Sequence, residues 1–225
     1  MPALPTLTDY FPPTDPWIDI VHEDERLIVL DKPSGLLTVP GKDPALADCL
    51  EARVQARYPD RPATKVVHRL DKDTSGLLLM AFDKPALAYL GSQFEHRKVE
   101  KSYVARVWGA VEGDSGLIDL PLATDWENKP RQRVDFDKGR PAQTQWQVIA
   151  REPNATRLRL TPLTGRTHQL RVHLLALGHP ILGDSLYAPA DALAAAGRLQ
   201  LHAETLQFAH PADHVVRLFS RPAPF

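Results

Sequence analysis

The sequence predicts an α+β protein: one large mixed, mainly antiparallel sheet with flanking helices and a central cleft between its lobes. Three observations lead there. Short apolar or alternating segments bounded by Gly, Pro, Asn or Asp recur along most of the 225 residues, the pattern of strands joined by turns. Only three stretches carry apolar residues at helical spacing, and many strands with few helices argue for a sheet with helices packed on it. The composition, 43% hydrophobic and 24% charged, is that of an ordinary globular protein with ample length for a core. No internal repeat or low-complexity linker interrupts the chain, so residues 17–225 read as a single domain.

Taken in order, residues 1–16 read as an extended arm punctuated by prolines. Strands are expected at 18–21 and 27–31, joined by the acidic turn His22-Glu23-Asp24-Glu25. Pro33-Ser34-Gly35 breaks the second strand and 36–39 resumes it. Asp48 is placed to cap a helix running to about Tyr58, with Leu50, Val54 and Tyr58 four apart on one face; Pro59 and Pro62 stop it. The apolar run 77–82, entered through Thr74-Ser75-Gly76, fits a buried strand. Asp83-Lys84-Pro85 then starts a helix, a capping carboxylate followed by proline in the first turn, with Leu87, Leu90 and Phe94 as its buried stripe.

Residues 99–111 alternate with period two, which puts Lys101, Tyr103, Ala105 and Val107 on one strand face. Further strands are expected near 117–122, 131–136, 142–150 and 156–162. Thr164-Gly165-Arg166-Thr167 introduces a helix from about His168 to Leu177, its apolar face made by Leu170, Leu174 and Leu177; Gly178 and Pro180 end it. The segments 199–208 and 215–219 close the fold as strands.

The net charge of −1 does not advertise a polyanion partner, but its distribution does. Residues 1–60 hold 5 basic and 11 acidic side chains, whereas residues 129–171 hold 10 basic and 3 acidic. A local basic face is what phosphate binding requires, and a solvated basic face is the competing reading. The single cysteine, Cys49, excludes an intrachain disulfide and fits a reducing compartment. No apolar run is long enough to span a bilayer, and no basic segment followed by an apolar core marks a secretory signal. The expectation is a cytoplasmic protein that does not engage the membrane.

Several chemistries are argued against by spacing. Nine histidines invite a metal site, yet His168 and His173 are five apart and no His-Glu-x-x-His or Cys-x-x-Cys occurs, so no metal is expected. Phosphate-cradling glycine loops and a Gly-x-Ser-x-Gly elbow are also missing from the sequence. What stands out is the loop His68-Arg69-Leu70-Asp71-Lys72-Asp73-Thr74-Ser75-Gly76, which would anchor Asp71 to a rigid core. A solvated turn is its plain alternative. Arg171, near the start of its helix, borders the buried stripe; it is either a snorkelling arginine or a cation suited to keeping a buried carboxylate ionised. Tyr103 is either a core aromatic or a flat surface for an extruded base, and Lys101 on the same face would meet a phosphate.

Together these strings resemble the RluA-type pseudouridine synthases. His68-Arg69-Leu70-Asp71-Lys72-Asp73-Thr74-Ser75-Gly76-Leu77 fits that family's signature. Asp31-Lys32-Pro33-Ser34-Gly35, Lys101-Ser102-Tyr103, Thr164 to His173 and His179-Pro180-Ile181-Leu182-Gly183-Asp184 agree in the same order. The resemblance covers about residues 17–220 and implies the pseudouridine synthase fold. It further implies that Asp71 is the essential carboxylate, as nucleophile or base, for isomerising uridine in RNA without a cofactor. Arg171 matches the arginine that pairs with this aspartate, Tyr103 the aromatic that packs on the target ring, and Arg69 the arginine that enters the RNA where the uridine has left. Lys101, Lys129, Arg131, Arg133, Arg166 and His168 are the remaining candidate RNA contacts.

The start of the first strand near Trp17 leaves no room for an S4 RNA-binding domain, and residues 124–134 resemble the loop of the short subgroup. That likeness implies 23S rRNA, a tRNA anticodon stem-loop, or both, as substrates, and a monomer is expected. A non-catalytic RNA-binding or ribosome-assembly protein is the alternative, with a two-carboxylate glycosidase using Asp71 and Asp73 behind it.

Overall fold

The computed structural model describes residues 10–225. The chain divides into two compact units, one running through Lys98 and including Phe208–Phe219, the other Val99–Gln207 with Ser220–Phe225. Of the arm expected over residues 1–16, residues 1–9 lie outside the described residues, and 10–16 form no helix or strand.

In the first unit, β1 (Ile20–Glu23) pairs antiparallel with β2 (Leu27–Lys32). The Asp24 carboxylate closes their turn by accepting from the amides of Arg26 and Leu27 at 2.8 and 3.1 Å. After α1 (Leu50–Arg57) and the short β3 (Lys65–Val66), the chain enters β4 (Ser75–Ala81), which pairs with both β2 and β3. Every residue of β4 is buried, as its unbroken apolar run predicts. The register sets Lys32 opposite Gly76, so the segment leaving β2 and the loop entering β4 lie at one end of the pair. α2 (Lys84–Glu95) begins as predicted, with the Asp83 carboxylate accepting from the Ala86 amide.

Three local expectations need correction. The cap of α1 is Cys49, whose Sγ accepts from the Ala52 amide, while Asp48 takes both prongs of the buried Arg53 guanidinium at 2.7 Å each. A buried charge needs its partner more than a helix end needs a particular cap. Residues 36–39 do not resume a strand, because the Leu37 and Thr38 carbonyls accept from Leu50 and Glu51 at the start of α1. In α2, Leu90 is buried but Leu87 and Phe94 are only half-buried; Gln93 lies inside instead, exchanging two 2.9 Å bonds with the Ala209 backbone.

The second unit centres on β5 (Glu100–Trp108). It pairs antiparallel with β10 (Ala155–Pro162) on one side and with β11 (Leu201–Ala209) on the other. β9 (Gln143–Glu152) and then β6 (Ser115–Asp119) continue outward from β10. β7 (Leu122–Thr124) and β8 (Gln132–Val134) form a separate two-stranded hairpin. α3 (Gln169–Ala176) and the unpredicted α4 (Ala190–Ala194) complete this unit, and β12 (Val216–Ser220) is the last strand of the chain. Leu122, Ala142, Val172 and Tyr187 form one buried cluster that joins the hairpin to α3. Antiparallel strands with few helices thus build both units. Among the described residues no helix is long and apolar enough to cross a membrane.

Candidate active site

The loop carrying Asp71 is held through its backbone by the segment that leaves β2. Thr38 Oγ1 donates to the Leu70 carbonyl at 2.7 Å and accepts from the Leu70 amide at 3.3 Å. The Gly35 amide donates to the Lys72 carbonyl at 2.9 Å, and Ser34 Oγ donates to that of Asp73 at 2.7 Å. Asp71 itself accepts at its carbonyl from the Thr74 amide at 3.2 Å, closing the turn. Thr74 and Ser75 are buried and Asp71 is half-buried. Asp71 is therefore positioned by bonds on both sides of it.

Beneath this loop lies Lys32, with no exposed surface. Its Nζ donates to the carbonyls of Pro33, Leu36 and Lys72 at 2.9, 2.8 and 2.9 Å, which matches three N–H donors to three acceptors. Burial pulls its pKa from 10.5 down to about 7, against the opposing pull of the negative charges on Asp73, Asp71 and Asp31. His68 accepts at Nε2 from the Leu79 amide at 3.2 Å and stacks on Phe94, with ring centroids 4.6 Å apart. Arg69, next to it, is exposed.

In the second unit Tyr103 sits on the central strand β5, buried, opposite Leu160 of β10 and Ala203 of β11. The register of β11 slips between Ala203 and Thr205, and Thr205 Oγ1 accepts from the Ser102 amide at 3.1 Å. Such a bulge beside an aromatic is a common way to aim a side chain. Lys101 lies two residues earlier on β5, and burial lowers its pKa.

Arg171 is in the first turn of α3 and almost fully buried. Its Nε and Nη2 donate to Asp184 Oδ2 and Oδ1 at 2.8 and 2.6 Å, a two-pronged pair that fixes the plane of the guanidinium. Asp184 also accepts from the amides of Leu186 and Tyr187. The start of α3 is anchored by Gln169, whose side chain accepts from Thr164 Oγ1 and the Arg166 amide and donates to Gln143 O and Thr144 Oγ1. His168, just before it, is held at φ +53°. A non-glycine residue in that region is strained, and such strain clusters at functional sites.

Tyr187 connects this helix to the β7–β8 hairpin. Its hydroxyl accepts from the Gln132 amide at 2.8 Å and shares a 2.7 Å bond with His168 Nδ1. The guanidinium carbons of Arg171 and Arg131 lie 5.1 and 5.3 Å from its ring centroid. On the hairpin, exposed Lys129 lies over the exposed ring of Trp126 at 4.1 Å, and Arg133 pairs with Asp135. Arg166 donates from Nε to the Pro141 carbonyl at 3.1 Å.

Of the residues singled out from sequence, Arg69 and Asp71 share one loop of the first unit. Arg131, His168 and Arg171 gather around Tyr187 in the second, and Lys101 and Tyr103 share β5. Sequence reasoning missed Lys32, Thr38, Asp184 and Tyr187. Lys32 and Asp184 stand inside strings already singled out, Asp31 to Gly35 and His179 to Asp184, so a signal existed. Thr38 and Tyr187 carried none. Among the described residues no group of three His, Cys, Asp or Glu side chains is arranged to hold a metal ion.

A backbone-clamped aspartate entering a buried strand, and a buried arginine opening a helix anchored on a sheet, occur here on a scaffold with known counterparts. Residues 26–176 match the family model described as RNA pseudouridylate synthase. The chain belongs to this family and is an isomerase acting on uridine in RNA. It is 52% identical over 220 residues to the Dual-specificity RNA pseudouridine synthase RluA of Pasteurella multocida, covering 97% of this chain and 99% of that one. It is 48% identical to the protein of the same name from Escherichia coli, with the same coverage. Among solved structures, Human RNA Pseudouridylate Synthase Domain Containing 1 superposes with a TM-score of 0.76 at 29% identity, covering 92% of this chain and 84% of that one.

Proposed function

We propose that the protein converts uridine to pseudouridine in stem-loops of both 23S rRNA and tRNA, with Asp71 as its essential carboxylate. The words "dual-specificity" in the names of relatives aligned over nearly their whole length support two substrate classes. In this reading Tyr103 packs on the target ring, Arg171 is the arginine that pairs with this aspartate, and Arg69 enters the RNA in place of the extruded uridine. Lys101, Lys129, Arg131, Arg133, Arg166 and His168 meet the RNA around the site. Residues 17–225 act as one catalytic domain, as a cytoplasmic monomer.

The reaction breaks the bond between N1 of uracil and C1′ of ribose, turns the base, and joins C5 to C1′. The hydrogen on C5 leaves as a proton and N1 ends protonated, so the atoms balance with no oxidant. An ionised carboxylate held at a fixed position serves such a step either as nucleophile on the sugar or base, or as a general base. The observation that carries the assignment is the clamp on the loop, in which Thr38, Gly35, Ser34 and Lys32 bind the carbonyls of residues 70, 72 and 73.

Release of tritium from RNA containing 5-tritiated uridine tests it. Asp71→Asn is expected to lower the rate by roughly 10³-fold or more while the protein stays folded. A variant that releases tritium as fast as the parent removes Asp71 from the mechanism. Tritium release by the parent also separates an isomerase from a protein that only binds RNA.

A further inference from the structure

Where the β7–β8 hairpin meets α3, the second unit holds a pocket of about 320 Å³, within the size range of ligand sites. Its floor is apolar: Val134 of β8, Val172, Leu175 and Ala176 of α3, and the ring of Tyr187. Val172 and Tyr187 belong to the buried cluster with Leu122 and Ala142, so the floor is fixed by core packing. Asp125, Arg131, Gln132 and Arg133 complete the lining.

That part of the lining is also rigid. The Asp125 amide donates to the Arg131 carbonyl at 3.0 Å, the Arg131 amide to Asn128 O at 2.9 Å, and the Asn128 amide back to Asp125 O at 3.2 Å. Asn128 Nδ2 donates to Asp125 Oδ2 at 3.0 Å, and the backbone amides of Glu127 and Asn128 also bond that carboxylate, which fixes it within its own turn.

The chemistry of this pocket discriminates between parts of an RNA. A phosphate would meet Arg131 and Arg133 but gains nothing from the apolar floor that makes up the rest of the lining. A nucleobase has a flat face that suits both the aliphatic floor and the plane of the Arg131 guanidinium. We propose that this pocket holds one unpaired base of the substrate RNA, distinct from the uridine that is isomerised. The proposal rests on the RNA-modifying role above and adds a second base-recognition point to it. Because Tyr187 forms one wall and also contacts Arg171 and His168, an occupied pocket lies directly against the start of α3.

The test is abasic scanning by equilibrium binding. In stem-loop RNAs that the protein binds, each loop nucleotide other than the target is made abasic in turn. One position is expected to weaken binding to the parent roughly 5- to 100-fold, the range of a stacked base. With Leu175→Trp, an exposed position where a larger ring fills the pocket, the same abasic change is expected to cost less than twofold. Arg131→Met, which removes the guanidinium and keeps the chain length, is expected to shrink the penalty likewise. If every abasic RNA loses the same factor with parent, Leu175→Trp and Arg131→Met, the pocket holds no base and the proposal falls. Pseudouridine formation by the parent on the intact RNA is scored separately, so a failed pocket and a failed reaction give different results.

Discussion

Lys32 brings a cation into a fully buried place, where three backbone carbonyls receive it. Two of these, Pro33 and Leu36, belong to the segment leaving β2, and the third, Lys72, belongs to the loop of Asp71. The ammonium therefore ties the two segments together. Lys32→Met fills a similar volume but strands buried acceptors, which should cost about 2–4 kcal/mol in urea unfolding. Turnover should fall further than stability accounts for, because the loop of Asp71 loses one of its fixings. The pH dependence has a definite sign. The folded protein holds this proton only to about pH 7, the unfolded chain to 10.5, so between those values the unfolded state binds more protons. Stability of the parent relative to Lys32→Met should then rise with pH across that window. A constant difference from pH 7 to 10 would show that Lys32 keeps its proton. Nothing in the string Asp31-Lys32-Pro33-Ser34-Gly35 discloses this burial, because its acceptors include a residue forty positions away. The loop of Asp71 was readable only in part: the turn closed by the Thr74 amide is local, whereas the clamp from Ser34, Gly35 and Thr38 comes from more than thirty residues away.

Helix α3 and the turn 179–184 show the same division among elements. The helix start, its stop at Gly178 and most of its apolar face follow from spacing and end signals, but the partner of Arg171 does not. Asp184 reaches Arg171 because Gly183 adopts φ +69° and its amide bonds the Ala192 carbonyl. A Cβ at that position would run into the carbonyl oxygen of Arg198. Gly183→Ala therefore meets both backbone strain and a fixed obstacle, and should destabilise by about 1–3 kcal/mol or more. The displacement falls on the next residue, so the Asp184–Arg171 pair should loosen and turnover drop while RNA affinity changes little. Gly165→Ala is the control, since a Cβ there meets nothing within van der Waals distance. Equal effects of the two substitutions would mean that this turn does not set Arg171. Helix α1 teaches a related lesson: Asp48 is the better cap by residue preference, yet the buried Arg53 claims it. Local preference decided elements where no buried charge competed.

The charge of the whole molecule, −1, says little about its partner, because at physiological ionic strength fields fade within about 8 Å. What counts is the sign of the side chains that a phosphate meets. Residues 129–171 carry 10 basic and 3 acidic side chains, residues 1–60 carry 5 and 11. Arg133, Lys138 and Arg140 are exposed on or just after the hairpin, and a phosphate-binding face there would release counterions when RNA binds. Each phosphate left without its cation lowers the slope of log K against log salt by about 0.7 to 0.9. Replacing Arg133, Lys138 and Arg140 together by Gln should therefore reduce that slope by about two to three, and weaken binding uniformly across RNA sequences. Lys42→Gln with Arg57→Gln, two exposed cations in the acidic segment, should leave the slope unchanged. Titrations of one stem-loop RNA at several salt concentrations decide the matter. If the two sets of substitutions shift the slope equally, the partner feels only total charge, and the basic segment is a solvated face with no assigned partner.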